Sequence, residues 1–109
     1  MIEHLFVYGT LAPGRPNEHV LGDVPGSWEP ATVRGDLVDR GWGAAAGFPA
    51  LVLRDGGPEV SGFLFVSAAL VEHWVSLDEF EGSGYDRVLT DARRGTGEVV
   101  QAWVYVARL

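Results

Sequence analysis

The 109-residue sequence contains no cysteine and no lysine. Without Cys there are no disulfides, no cysteine-ligated zinc or iron–sulfur centres and no thiol nucleophile, and nothing points to an oxidising compartment. Without Lys there is neither a Schiff-base amine nor a Walker-type phosphate lysine; all eight basic residues are Arg. Positive charge is scarce as well. Fifteen acids against eight bases give a net charge of −7, a field that repels polyanions, so neither nucleic acid nor an anionic membrane surface is an expected partner. Apolar runs reach only about six residues, whereas roughly 20 are needed to cross a bilayer. Glu3 and His4 interrupt a signal-peptide start. These absences lead to the expectation of a soluble, cytoplasmic protein. His4, His19 and His73 lack metal-ligand spacing, and no H-E-x-x-H occurs, so no metal site is expected.

What is present is enough apolar material, 47% of residues, for one modest core, and residues 1–109 are read as a single domain. Leu5-Phe6-Val7-Tyr8 is short, continuously apolar and stopped by Gly9, which predicts a strand buried on both faces. Gly9 to Asn17, with two Gly and two Pro, is a loop, followed by a single helical turn from Glu18 to Leu21. Thr32 to Val38 carries a strand pattern in which the interior Gly35 marks a bulge or a close backbone approach. Gly41 to Gly47 is a small-residue loop. Ala50 to Leu53, the turn Asp55-Gly56-Gly57-Pro58 and Val60 to Val66 predict a hairpin. Ser67 caps a helix from Ala68 to Gly82, and Asp86 to Arg93 and Val99 to Val106 form a second hairpin around Arg94-Gly95-Thr96-Gly97. The class is α+β: a small, mostly antiparallel β-barrel or curled sheet with one main helix and short flanking helical turns.

On the helix, spaced at 100° per residue, Trp74, Leu77 and Glu81 fall within about 40° of Leu70, while Glu72 and Glu79 lie on the opposite face. A carboxylate aimed into an apolar setting has a raised pKa, the property wanted of a group that must both accept and donate a proton, so Glu81 is the candidate catalytic residue. Two structural alternatives stay open: the helix frays before Gly82 and leaves Glu81 in water, or Glu81 pairs with Arg87. The second informative place is Tyr8-Gly9-Thr10-Leu11. A strand that ends in Gly and turns at once exposes successive N–H groups, which form a nest for a carboxylate; the alternative is an ordinary strand-to-loop turn with Tyr8 in the core. In the last strand Val100, Ala102, Val104 and Val106 share one face and Gln101, Trp103 and Tyr105 the other, which makes Tyr105 a candidate for a wetter cavity or a residue at the core boundary. Tyr85 is a further candidate.

Other signals are weak. Gly41-Trp42-Gly43-Ala44-Ala45-Ala46 fits a permissive dinucleotide pattern without the strand-to-helix context it requires. Ser83 between two glycines reads as turn chemistry rather than a nucleophile elbow. The four Trp are scattered along the chain and read as packing anchors.

Tyr8-Gly9-Thr10-Leu11 followed by Gly14-Arg15-Pro16-Asn17, and Leu77-Asp78-Glu79-Phe80-Glu81-Gly82 followed by Tyr85, resemble the γ-glutamylcyclotransferase-like family. Gly47 to Leu53 and Val60 to Phe65 are similar to its middle segment, so the resemblance covers essentially the whole chain. It implies a small barrel with flanking helices, a loop at Tyr8, Gly9, Thr10 and Leu11 that binds the glutamyl moiety, and a carboxylate in the second motif acting as general acid/base. By position that carboxylate is Glu81. The implied reaction is intramolecular cyclisation of a γ-glutamyl amide to 5-oxoproline with release of an amine; Tyr85 or Tyr105 orients the substrate. Nucleophile and leaving group both belong to the substrate, so no cofactor is expected. A non-catalytic module binding a carboxylate or γ-glutamyl ligand, and a related amide hydrolase or acyltransferase, are the rival readings. The released amine is not named by the sequence, and monomer and weak dimer are both compatible with it.

Overall fold

A computed structural model describes residues 3–8, 19–22, 24–38 and 50–108. Among these residues, six strands and two helices follow in the order β1 (Glu3–Val7), α1 (His19–Gly22), β2 (Ser27–Val38), β3 (Ala50–Leu53), β4 (Glu59–Ser67), a 3-10 turn (Ala68–Glu72), α2 (Trp74–Glu81), β5 (Tyr85–Arg94) and β6 (Val99–Ala107). The strands form one sheet in the order β1-β4-β2-β3-β6-β5, and β1 pairs back onto β6, so five strands close a barrel. β5 continues the sheet beyond β6 and touches β2 at Ala31 and Thr32. The fold is the expected small α+β barrel. Among the described residues no helix is long and apolar enough to cross a membrane.

The unbroken apolar run of β1 follows from its place in the ring. It pairs antiparallel with β4 on one edge and parallel with β6 on the other, and Leu5, Phe6 and Val7 are all buried, as a strand covered on both faces requires. The two faces feed two apolar clusters. Phe6, Val33, Leu51, Leu64, Ala92 and Val104, drawn from all six strands, fill the barrel. Leu5, Val7, Phe65 and Tyr105 face outward and are covered by Leu70 and Leu77. The alternation read along the last strand holds: Ala102 and Val104 belong to the first cluster, Tyr105 and the adjoining Trp103 to the second.

The expected hairpin between residues 50–53 and 60–66 does not form. β3 and β4 both run antiparallel to β2 but on opposite edges of it: β4 pairs with Ser27 to Arg34, β3 with Gly35 to Val38. The intervening turn carries the chain across β2 where one pairing ends and the other begins. Gly35 N–H donates to the Pro58 carbonyl, while Arg54 N–H donates to the Arg34 carbonyl on the other edge. No return path is needed, because both strands continue in one direction. The crossing demands glycine: a Cβ on Gly35 would lie 2.5 Å from the Val52 oxygen. Gly35 therefore does mark a close backbone approach, though the strand around it begins at Ser27 rather than Thr32.

The expected single helix is split. Ser67 caps the 3-10 turn, its oxygen accepting from the Ala69 N–H at 3.0 Å while its hydroxyl donates to the Pro25 carbonyl. His73 N–H closes that turn on the Leu70 carbonyl, and the His73 carbonyl opens α2 by accepting from Leu77. Despite the break, Leu70 and Leu77 are buried and Glu72 and Glu79 exposed, so the inward stripe survives.

Candidate functional site

Glu81 is the last residue of α2, and helical hydrogen bonding persists past it: the Gly82 N–H donates to the Asp78 carbonyl at 3.0 Å. The helix does not fray early. Gly82 then takes φ 81°, a left-handed value that turns the chain out of the helix without the steric cost a side chain would meet. Glu81 is half-buried, and loss of hydration pushes its carboxyl up from 4.5 to about 7. The unsatisfied carbonyls at the end of a helix oppose a carboxylate there as well.

Arg87 reaches Asp78, nearly one turn before Glu81 on α2. It forms a bidentate pair with Asp78, Nε to Oδ1 at 2.9 Å and Nη2 to Oδ2 at 3.3 Å, and its guanidinium lies 4.3 Å from the ring centre of Trp74 and 4.6 Å from that of Trp103. The two indoles meet edge to face at 6.1 Å. Two of the tryptophans scattered through the sequence thus converge to hold one cation, an arrangement favoured electrostatically by the ring faces. Asp78 also accepts the Tyr105 hydroxyl at 2.7 Å. The Arg87 hydrogen bonds, joined by that of Tyr105, hold the Asp78 carboxyl below its ordinary value.

Tyr8, at the end of β1, has its hydroxyl between two strands: it donates to the Tyr105 carbonyl at 2.7 Å and accepts from the Leu51 N–H at 2.9 Å. β1 stops here and β3 takes its place beside β6, so the phenol fills the junction. Burial, followed by the charges of Glu81 and Tyr85, raises the Tyr8 phenol well above its ordinary value. Burial and the Asp78 hydrogen bond do the same for Tyr105, with Glu81 adding to the effect. Glu81 is therefore within electrostatic reach of both phenols. Of the residues singled out in the sequence, Glu81, Tyr8, Tyr85 and Tyr105 fall in one neighbourhood; Gly9, Thr10 and Leu11 lie outside the described residues.

Beside the end of α2 is a cleft of about 290 Å³ bounded by Asp78, Tyr85, Asp86, Arg87, Tyr105 and Arg108; Gly82 completes its lining, and Glu81 adjoins it in the chain without forming part of the wall. Arg108 is paired with Asp86, Nε to Oδ1 at 3.0 Å. The sequence did not single out Asp78, Asp86 or Arg108 as site residues, and it offered Arg87 only as a pairing partner of Glu81. A signal for Arg87 was there: continuing the hairpin register back from the turn at Arg94 to Gly97 sets Arg87 opposite Tyr105 and Leu89 opposite Trp103, the pairing observed.

The family model described as gamma-glutamyl cyclotransferase, AIG2-like matches residues 5–109. Among solved structures, the chain is similar to YkqA from Bacillus subtilis, with 29% identity and a TM-score of 0.74 over 100% of this chain and 37% of that one. It is similar to an AIG2-like protein from Mus musculus, with 28% identity and a TM-score of 0.74 over 97% of this chain and 77% of that one. A protein from Arabidopsis thaliana shares 25% identity at a TM-score of 0.71, over 98% of this chain and 62% of its own. The chain thus spans little more than a third of YkqA. No curated protein matches it in sequence.

Proposed function

The chain belongs to the AIG2-like γ-glutamyl cyclotransferase family, and from that premise we propose that it cyclises a γ-glutamyl amide to 5-oxoproline and a free amine, with Glu81 as general acid/base. The observation that carries this reading is the half-buried Glu81 carboxyl at the end of α2, pushed up to about 7. A group with that affinity is divided between its two protonation states near neutrality, where proton transfer in both directions is most efficient.

The reaction follows from that poise. Glu81 as carboxylate takes a proton from the substrate's α-ammonium group. The freed amine nitrogen attacks the γ-carbonyl carbon of the same molecule, forming the ring C–N bond, and the bond to the outgoing nitrogen breaks as Glu81 returns the proton to it; the regenerated carboxylate then takes the second proton from the ring nitrogen and passes it to the departing amine, which leaves as an ammonium ion. Holding the substrate folded supplies the proximity that replaces a side-chain nucleophile. The backbone N–H groups of Gly9, Thr10 and Leu11 are assigned to the substrate carboxylate or the developing oxyanion. Tyr8, whose hydroxyl is engaged by the backbone of β3 and β6, shapes the floor, and Tyr85 and Tyr105 orient the substrate.

The test is a mass-spectrometric screen of γ-glutamyl amines for release of 5-oxoproline. Turnover of at least one amine, with kcat/KM climbing as pH rises through about 7 as Glu81 ionises, is the expected result. Free glutamate in place of 5-oxoproline would make the protein an amidase, and a ligand-dependent rise in Tm without turnover would make it a binding module.

A further inference from the structure

The hydrogen-bond polarity at the cleft carries an inference about substrate selection, and it rests on the reading just given. Asp78 receives two hydrogen bonds from Arg87, one on each oxygen, and a third from Tyr105 on Oδ1. A carboxylate so engaged is ionised and has no proton to give, so in the 2.7 Å contact the Tyr105 hydroxyl must be the donor. That distance is in the range of a charge-assisted O–H···O bond. A phenol has one hydrogen. Once it is committed to Asp78, the oxygen can offer the cleft only lone pairs, and donation to an anion polarises it into a stronger acceptor.

The cations of the cleft reinforce this polarity. Arg87 is turned onto Asp78 and held against the faces of Trp74 and Trp103, and Arg108 is turned onto Asp86. Each guanidinium is thus matched by a carboxylate. A ligand group meeting Tyr105 is therefore selected as a hydrogen-bond donor, most strongly a cationic one.

We propose that Tyr105 recognises the α-ammonium group of the γ-glutamyl substrate through its hydroxyl oxygen, with Asp78 and Arg87 as the positioning pair that fixes the direction of the hydroxyl hydrogen. The ammonium is the group whose proton Glu81 removes. Tyr105 would orient the nucleophile and Glu81 would deprotonate it, and Tyr8, which donates to the Tyr105 carbonyl, ties the backbone of that residue to the barrel.

The experiment compares a γ-glutamyl amide with its glutaryl counterpart, which lacks only the α-amino group, as ligands of Glu81→Gln protein measured by calorimetric titration. The γ-glutamyl ligand should bind about 10- to 100-fold more tightly, the range of a hydrogen bond to a charged group. Adding Tyr105→Phe, which keeps the ring in the core, should bring the ratio close to one. Adding Asp78→Asn to Glu81→Gln should lower it part-way while removing neither ring nor hydroxyl. Arg87 Nε and the Tyr105 hydroxyl share one oxygen of Asp78; the amide oxygen in that place keeps both bonds, but a neutral acceptor polarises the phenol less than a carboxylate does. A purely structural role for Asp78 would weaken both ligands equally and leave the ratio unchanged. A preference undiminished in the Tyr105→Phe and Asp78→Asn proteins while wild-type protein still makes 5-oxoproline overturns the assignment of Tyr105 alone. Absence of both turnover by the wild type and binding by Glu81→Gln overturns the function as well.

Discussion

Asp78 and Glu81 stand three residues apart on α2, yet their affinities for a proton move in opposite directions. Asp78 is exposed and faces a guanidinium, which holds its proton off; Glu81 is half-buried at the helix end, where lost hydration holds its proton on. The helix is common to both, so the difference lies in what the surrounding strands bring. β5 supplies Arg87 and β6 supplies Tyr105, and both reach Asp78. A carboxylate fixed in one charge state can orient its neighbours, and one poised between states can exchange protons. The proposed mechanism needs one of each.

The largest expected effect separates the two by rate. Glu81→Gln should lower 5-oxoproline formation about 10²–10⁴-fold with an unchanged circular dichroism spectrum, whereas Asp78→Asn, acting through Tyr105, should cost only about tenfold. Equal losses in the two variants would erase the division of labour.

Next in size is the partner of Asp78. Arg87→Leu removes the ion pair and uncovers the faces of Trp74 and Trp103, and urea unfolding should show a loss of about 1–3 kcal/mol. Activity should fall far less than in Glu81→Gln.

A smaller effect distinguishes the carboxylates by sign. The raised affinity of Glu81 means the folded state binds more protons than the unfolded chain between about pH 4.5 and 7. Its contribution to stability is complete below that window and is lost as pH rises through it. Asp78 works the other way, contributing above its unfolded pKa and losing that contribution as pH falls through its lower folded value. The difference in Tm between Glu81→Gln and wild type should therefore shift in favour of the variant as pH is raised from 4.5 to 7; a difference that stays flat would contradict burial of Glu81.

The smallest effect is a control. Asp36 pairs with Arg54 much as Asp78 does with Arg87, but both partners are about half exposed. Asp36→Asn should leave both turnover and Tm unchanged within error, because water and salt screen such pairs.

The sequence made half of this contrast legible. The periodicity from Leu70 to Glu81 turned Glu81 inward even though the helix breaks at His73, because both segments keep their apolar residues on one side. β1, β6 and the turn at Arg94 to Gly97 were readable from local apolar patterns and turn chemistry. The Asp78 network was not, since it joins α2 to two strands and depends on pairing across the sheet. The same holds for the chain crossing at Gly35. A tight turn between two apolar segments reads as a hairpin unless a third strand is known to lie between them, and β2 does. Glycine at 35 signalled a close approach without naming the segment that approaches.

The contrast between the two carboxylates is tested most directly by following their side-chain carbonyl resonances in a carbon-13 NMR titration, with Glu81→Gln and Asp78→Asn used to assign the signals. The account predicts a Glu81 midpoint near 7 and an Asp78 midpoint below the usual aspartate value. Midpoints for both in the ordinary range, about 4 to 4.5, would contradict it.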